Sequence, residues 1–476
     1  MQLKNKKIRR SLGLITANLF LATHGYADTL DGAADAPTTS AANTSGDQAF
    51  NALGTASIDS AVLFYKEASG RVRAIEPVSQ VSVTGDNGNV FTAKFTYDSL
   101  TGASPNGAAP WTSVQTFTTP AKAVSTPGST MTVTGASGGR TIVTLPGTTT
   151  QVAQYQTQPN QLPVDSGFID KRYAFDLGYS AKLSDETTTS FGFAASTEHD
   201  YRSWSANTAI SRNFDQNNTT VELGLNVEYD QSLPIFGTPT PLTQMNGSTK
   251  GPNRYKTVTS VNLGVTQVMT RRWLFQMNYN IGWNNGYQTD PYKIVSVVNP
   301  TTGAPQQYLY EARPDHRVRQ SVYIANKVAL GPTVADISFR YYHDSWGIKS
   351  ITSDMSERVP LSQSWYIQPE LHYYQQSAAD FFHYYLLGGD PLPQYASADG
   401  RLGKFRARTW GLRVGYELSR HTDIYMMAED YKQMADSQPQ NAPGALQNEN
   451  FFSGVHAKSF VLGFKYTFQL SDYSEW

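Results

Sequence analysis

The chain has 476 residues, a formal net charge of −1 and no cysteine, with 16% charged and 12% aromatic residues. Near-neutrality provides no basic face for nucleic acid, and the missing thiols exclude disulfides, thiolate metal sites and cysteine nucleophiles. Low charge with 28 Tyr and 37 Gly, and no mature run of about 18 apolar residues, fits a membrane barrel better than a cytosolic enzyme.

Residues 1–27 read as an export signal. Lys4, Lys6, Lys7, Arg9 and Arg10 form a basic start, 12–22 an apolar stretch, and Gly25 and Ala27 place small residues before a cleavage at Asp28. Residues 28–57, rich in Ala, Thr, Ser, Asp and Gly, read as a flexible periplasmic lead-in. The barrel is expected over 58–476.

Strand signals begin at 58–66, 71–84 and 90–98, where Phe91, Ala93, Phe95 and Tyr97 share one face. Residues 99–170, full of Thr, Gly, Pro and Ser, read as a long loop or a plug, with a hairpin within it over 131–133 and 141–145. A loop this long is uncommon in a compact soluble domain and ordinary on the outer side of an outer-membrane barrel. From Arg172 the rhythm is regular. Tyr173, Phe175, Leu177, Tyr179, Ala181 and Leu183 make one apolar face; a turn over 184–187 leads to Phe191, Phe193 and Ala195, and strands follow over 202–214, 221–229 and 257–268.

The sharpest pattern is Trp273–Trp283. Trp273, Phe275, Met277, Tyr279, Ile281 and Trp283 alternate with Leu274, Gln276, Asn278, Asn280 and Gly282, so one face is apolar and the other mostly polar. A strand of roughly 11 residues suits a tilted bilayer crossing, with aromatics where it meets the headgroups. A loop over 285–315 leads to strands at 317–329, 335–346, 348–358 and 364–376. Another loop, 377–404, leads to 405–418, 423–432 and 457–470. In the last strand Gly463-x-x-Tyr466-x-Phe468 resembles the C-terminal signal read by the barrel assembly machinery, with Val461 where a polar residue is usual and eight residues after Phe468. Short turns on one side and long loops on the other predict an all-β, closed antiparallel transmembrane barrel of about 16 strands, 14 being the alternative. Closure follows from backbone amides that find no water in hydrocarbon.

Parity assigns the inward residues. Arg317, Arg319 and Lys327 share one strand, and Arg340 and Asp344 the next. Glu370 and His372 follow, then Arg413 and Glu417, with Glu429 beyond. Further back, Arg172, Asp176, Lys182, Glu222, Asn226 and Glu228 point inward. Two readings stand: charges that pair to fill a polar interior, or a basic ladder facing an acidic one that orients permeating solutes. His372 near Glu370 shows only same-face adjacency, and no catalytic motif accompanies it, so an enzyme is not expected. The alternating charges Glu311, Arg313 and Asp315 read as a self-satisfied loop network or a partner site. Asn284–Tyr287 and Asp290–Lys293 read as turn chemistry. No calcium-spaced acidic cluster occurs, and neither metal nor cofactor is expected.

Several stretches together resemble an uncharacterised family of Gram-negative outer-membrane barrels, catalogued only as a domain of unknown function. They are 98–107, Asp290-Pro-Tyr-Lys293, Glu311-x-Arg-Pro-Asp-x-Arg317, Arg340-Tyr-Tyr-x-Asp-Ser-Trp-Gly-Ile348, Gln376-Ser-Ala-Ala-Asp-Phe-Phe382 and Tyr395-x-Ser-x-Asp-x-Arg-Leu402. The resemblance implies a barrel without assigned catalytic residues. Members encoded beside a flavin transferase and small exported proteins imply a role near extracytoplasmic electron transfer. The sequence is therefore read as a porin-like channel for small polar or ionic solutes. The alternative is a sheath or anchor for a periplasmic or surface partner. Its surroundings would be outer-membrane lipid and lipopolysaccharide, with the assembly machinery as a partner during biogenesis.

Overall fold

The computed structural model describes residues 54–68, 70–85, 87–102, 104–120, 131–135, 138–144, 151–164, 169–234, 237–245, 251–452 and 454–469. The expected export signal, its cleavage near Ala27, the lead-in up to residue 53 and the terminal Trp476 lie outside them.

Three long strands open the chain, β1 (Thr55–Glu67), β2 (Arg73–Thr84) and β3 (Val90–Thr101). Four short ones follow within the first long connection: β4 (Gln115–Pro120), β5 (Met131–Gly135), β6 (Gly138–Thr144) and β7 (Gln151–Thr157). Long strands resume as β8 (Ile169–Lys182), β9 (Thr187–Thr197), β10 (Tyr201–Phe214), β11 (Thr219–Ser232), β12 (Arg254–Thr270) and β13 (Trp273–Gly286). The hairpin of β14 (Ile294–Val298) and β15 (Pro305–Tyr310) precedes β16 (His316–Leu330), β17 (Thr333–Asp344), β18 (Lys349–Pro360) and β19 (Trp365–Gln376). A two-residue β20 (Leu386–Leu387) comes before β21 (Phe405–Ser419), β22 (Thr422–Ala435) and β23 (Val455–Gln469).

The long strands close into one barrel in the order β1-β2-β3-β8-β9-β10-β11-β12-β13-β16-β17-β18-β19-β21-β22-β23. That is the predicted 16-stranded, all-β architecture. The ring shuts where β1 pairs antiparallel with β23, from Thr55 opposite Gln469 to Glu67 opposite Ala457. No sheet edge is left for hydrocarbon to meet.

The barrel is inside-out relative to a soluble protein, and β11 shows why. Val221, Leu223, Leu225, Val227 and Tyr229 are exposed, while Thr220, Glu222, Asn226, Glu228 and Asp230 are buried. Phe91, Phe95, Phe175, Phe193, Ile337, Phe339, Leu462 and Phe464 continue the outer apolar surface around the ring. A continuous patch of that kind far exceeds what a soluble monomer leaves in water, so the surface belongs in lipid. Aromatics concentrate near the two rims. Trp204, Tyr229 and Tyr255 stack across three strands at one end, with centroids 6.2 and 5.6 Å apart, and Trp365 meets Tyr416 at 4.7 Å near the other. These are the girdles of an outer-membrane barrel.

Short turns at 85–89, 183–186, 215–218, 271–272, 331–332, 361–364 and 420–421 mark one end. At 215–218, Gln216 and Asn217 both take left-handed φ (55° and 67°), the hand that a tight hairpin requires. The other end carries the long connections, which identifies it as extracellular. Val461, out of place in the sequence pattern, packs inward with Ala61, Tyr425 and Met427 beside the closing seam. The ring of Tyr425 lies over Gly463, where a Cβ would sit 2.2 Å from the ring. Glycine is required there by the close approach.

Candidate functional site

The long loops fold over the extracellular mouth into a cap with its own apolar core. Residues 285–315, expected as plain loop, contain the β14–β15 hairpin, and every residue of β14 is buried. Ile294 packs with Ala108, Phe117, Tyr155 and Tyr310, which brings in the described parts of the first long loop. Val295, Val297 and Leu309 pack with Leu386 and Ala396, and β20 adds a parallel pair to β14. Gly107 has a φ of +97° and passes so close to Ile294 that a Cβ would fall 2.2 Å from its carbonyl oxygen. Only glycine fits that crossing.

Three carboxylates and three cations cluster within this cap; Glu311, Arg313, Asp399 and Lys293 are buried, and Asp290 and Arg401 are 23% and 21% exposed. Arg313 Nε lies 2.6 Å from Glu311 Oε1, and its terminal nitrogen is 2.9 Å from Asp399 Oδ2. Arg401 reaches Asp399 at 2.5 Å and Asp290 at 2.8 Å. Lys293 donates to Ser104 Oγ at 2.5 Å and to the Pro105 carbonyl at 2.6 Å, tying in the first loop. Glu311 also accepts from the Asp290 amide at 2.7 Å and the Ser397 hydroxyl at 2.5 Å. Burial by itself would raise the carboxyl of Asp399, but Arg401, Lys293 and Arg313 hold it well below the usual carboxylate range. Burial lowers Lys293 and raises Glu311. Both Glu311 and Arg313 were expected here. Asp315 is exposed and stands outside the cluster.

The sequence reading missed Asp290, Lys293, Asp399 and Arg401. Residues 290–293 do make a turn, with the Tyr292 amide donating to Asp290 Oδ1 at 3.0 Å, but their charged ends serve the cap. The stretches that carry the family resemblance meet at this place. Asp290–Lys293, Glu311–Arg313 and Ser397–Arg401 supply the cluster. Gln376, at the top of β19, donates to the carbonyls of Arg401 and Gly403 at 2.9 and 2.7 Å.

A second latch joins cap to wall. Arg317 donates to Asp344 Oδ2 through two nitrogens at 2.8 and 2.6 Å, and Tyr342 donates to the same oxygen at 2.7 Å. The other oxygen accepts from the amides of Trp346 and Ile348, which shapes the turn between β17 and β18. The Arg317 guanidinium lies 4.2 Å from the Trp346 ring.

Below the latch, one wall of the lumen is charged. Arg319 faces inward level with Asp344, and Arg340 sits 5.7 Å from the Tyr323 ring. Lys327 meets Asp336 at 3.3 Å, Arg413 meets Glu370 at 3.8 Å and Arg358 meets Glu417 at 2.9 Å. His372 Nδ1 is 2.6 Å from Asp354 Oδ1, while Ser338 donates to the other oxygen of Asp354. Serine and histidine therefore share one carboxylate and do not form a relay. Glu429 accepts from Ser459. Although they face inward, Asp336 and Asp354 have side chains 34% and 49% exposed. Such exposure inside a closed ring requires a water-filled space, as expected at this strand number.

The opposite wall is quieter. Arg172 pairs with Asp98 at 2.5 Å, Asp176 lies level with Lys94, and Lys182 is exposed near the periplasmic rim. Glu222, Asn226 and Glu228 are buried on β11.

A model of the family described as "Protein of unknown function (DUF3570)" matches residues 16–468. No curated protein sequence matches the chain. Among solved structures, "Bacterial polysaccharide outer membrane secretin" is 9% identical with a TM-score of 0.42, covering 87% of this chain and 100% of that one. The outer membrane protein opdK from Pseudomonas aeruginosa is 8% identical with a TM-score of 0.36, covering 87% and 99%. The siderophore receptor PirA from Acinetobacter baumannii is 9% identical with a TM-score of 0.37. There 81% of this chain covers 53% of the other, so the chain spans about half that receptor's length.

Proposed function

The chain belongs to this family of unknown function, and we propose that it is a cap-gated outer-membrane channel for small polar or ionic solutes. The observation that carries the reading is the contrast within one lumen: inward charges up to half-exposed to water under a cap whose innermost charges, Glu311, Arg313 and Asp399, are buried. A filled structural barrel has no reason to keep paired charges wet. A channel uses them as a transverse field on passing solutes. The test is conductance of the refolded, heat-modifiable protein in a planar bilayer under a salt gradient. Arg340→Glu is expected to move the reversal potential toward cation selectivity. An unchanged potential across an otherwise conducting variant contradicts the reading.

The closed cap favours a second reading, in which a periplasmic partner enters from the short-turn end and the barrel serves as its sheath. That reading requires a barrel that stays silent with the cap loosened and that co-purifies with the partner.

A further inference from the structure

At the extracellular ends of β21, β22, β23 and β1 the polarity of the barrel wall is reversed. The inward side chains there are apolar: Phe405, Ala407, Tyr431 and Ala457 form a buried cluster with Tyr374 of β19, and Tyr65 packs against it. Alternation along each strand then sends the intervening residues outward. These are Arg406 and Arg408 on β21, Lys432 on β22, Lys458 on β23 and Lys66 on β1. Arg73 at the start of β2 joins them, and all six are exposed.

The register sets these cations side by side. Lys458 lies opposite Lys66, and Lys66 opposite Arg73. Arg408 lies opposite Lys432, one outward position nearer the extracellular end. Like charges directly opposite one another work against strand pairing. The acids nearby are committed elsewhere. Asp430, the one outward acid at this end of the five strands, is bonded to His456 at 2.7 Å. In the adjoining loops Asp436 pairs with Lys404 at 3.6 Å, and Glu67 pairs with Arg71 at 2.7 Å. Among the described residues, none of the six cations has an ion-pair partner.

Directly below the cations the outer face turns apolar. Leu412, Ala428, Phe460, Phe64 and Ile75 lie opposite one another in succession across the same five strands. Trp410, 59% exposed, stands level with Asp430 at the border, the depth of an interfacial aromatic. Along β23 the outward face is apolar or aromatic from Phe460 to Phe468, about nine residues, enough for a tilted strand to cross the hydrocarbon. Lys458 and its neighbours therefore stand at the headgroup layer of the outer leaflet. A lone lysine at that depth snorkels into water. Six unpaired cations held side by side are matched by a polyanion, and the apolar ladder beneath them by acyl chains.

We propose that this face docks the phosphorylated glycolipid of the outer leaflet, lipid A. One phosphate takes up Lys458, Lys66 and Arg73, the other Arg408 and Lys432, and the acyl chains lie along Phe460 and Phe64. Arginine meets phosphate through two parallel N–H donors and lysine as a point charge. The phosphate on Lys458 and Lys66 bridges β23 and β1, the pair that closes the ring, and cancels the repulsion there. The inference rests on the placement of the barrel in the outer membrane and is independent of whether the lumen conducts.

The test is titration of diphosphoryl lipid A into the refolded full chain in a neutral detergent, with retained lipid counted by native mass spectrometry. Saturable retention is expected, about thirtyfold weaker in Lys66→Gln/Lys458→Gln and kept in Lys66→Arg/Lys458→Arg. Arg202→Gln, which removes an exposed cation from β10, is expected to leave retention unchanged. Heat-modifiable migration confirms that each variant is folded. Arg406→Gln/Arg408→Gln, away from the closing seam, replaces the lysine pair if that variant does not fold, with the same loss expected. No saturable retention in the wild type, or retention indifferent to both double variants, overturns the site. A loss in Arg202→Gln as large as in the double variant also overturns it, since any cation on the rim then serves. Phosphatidylglycerol retained as tightly as lipid A, and lost in the same variants, overturns the assignment to lipid A and leaves a general surface for anionic lipid.

Discussion

The cap and the lumen are both held by ion pairs, yet the same chemistry does different work in the two places. In the cap, Glu311 and Arg313 have no exposed side-chain surface, and Asp399 has 2%. In the lumen, Asp354 is 49% and Asp336 34% exposed. A buried network is stable only when every charge is matched, so losing one member strands the others in a medium that cannot solvate them. A wet pair is screened and exchanges readily with water or a solute. The cap therefore behaves as a latch that is either complete or broken, and the lumen wall as an adjustable surface.

Breaking the latch should give the largest effect. Arg401→Ala leaves Asp290 and Asp399 without their shared cation and is expected to destabilise the docked cap by about 3–5 kcal/mol. Hydrogen exchange across 294–310 would report it, while the barrel strands keep their protection. Trp346→Ala removes a buried ring from between Arg317 and Phe381 and is expected to cost about 3 kcal/mol. Denaturant titration followed by protease sensitivity at 345–348 measures that loss.

A smaller effect should follow pH at the cap's rim. Asp170, Glu198 and Asp200 place one oxygen each within 4.8 Å of one another, with Tyr292 of the cap bonded to Asp200. Burial, then the Asp170 charge beside it, pushes the Glu198 carboxyl up to about 8 from its ordinary 4.5. A carboxyl raised in the docked state favours docking where it is protonated. That contribution is complete below its ordinary value and fades as pH rises through about 8. Cap protection should fall over this window in the wild type and lose most of that dependence in Glu198→Gln. The smallest effect belongs to the wet wall. Lys327→Ala, breaking a pair 27% and 34% exposed, should change stability by less than about 1 kcal/mol. If it costs as much as Arg401→Ala, the distinction between latch and wall fails.

The sequence spoke clearly wherever the determining contacts are local. Alternation along Trp273–Trp283 or β11 reports lipid on one side and polar lumen on the other, because each residue's neighbour two positions away shares its solvent. Turn length reported sidedness. The cap was illegible for the opposite reason. Arg313 and Asp399 are 86 positions apart, and Lys293 and Ser104 189, so nothing local joins them. One signal was present: Asp290/Lys293, Glu311/Arg313 and Asp399/Arg401 each put opposite charges two or three residues apart in loops otherwise poor in charge. Their convergence required the fold. Val461 misled for a related reason, since an apolar inward residue makes sense only once Met427 and Ala61 are seen beside it.

The most direct measurement is single-channel conductance of wild type and Arg401→Ala side by side in planar bilayers, with cap loosening confirmed by hydrogen exchange on the same preparations. A latched channel predicts rare or small openings in the wild type and larger, sustained conductance once the latch is broken. A variant with a demonstrably loosened cap and no conductance contradicts it, and the barrel is then a sheath whose lumen is filled by something else.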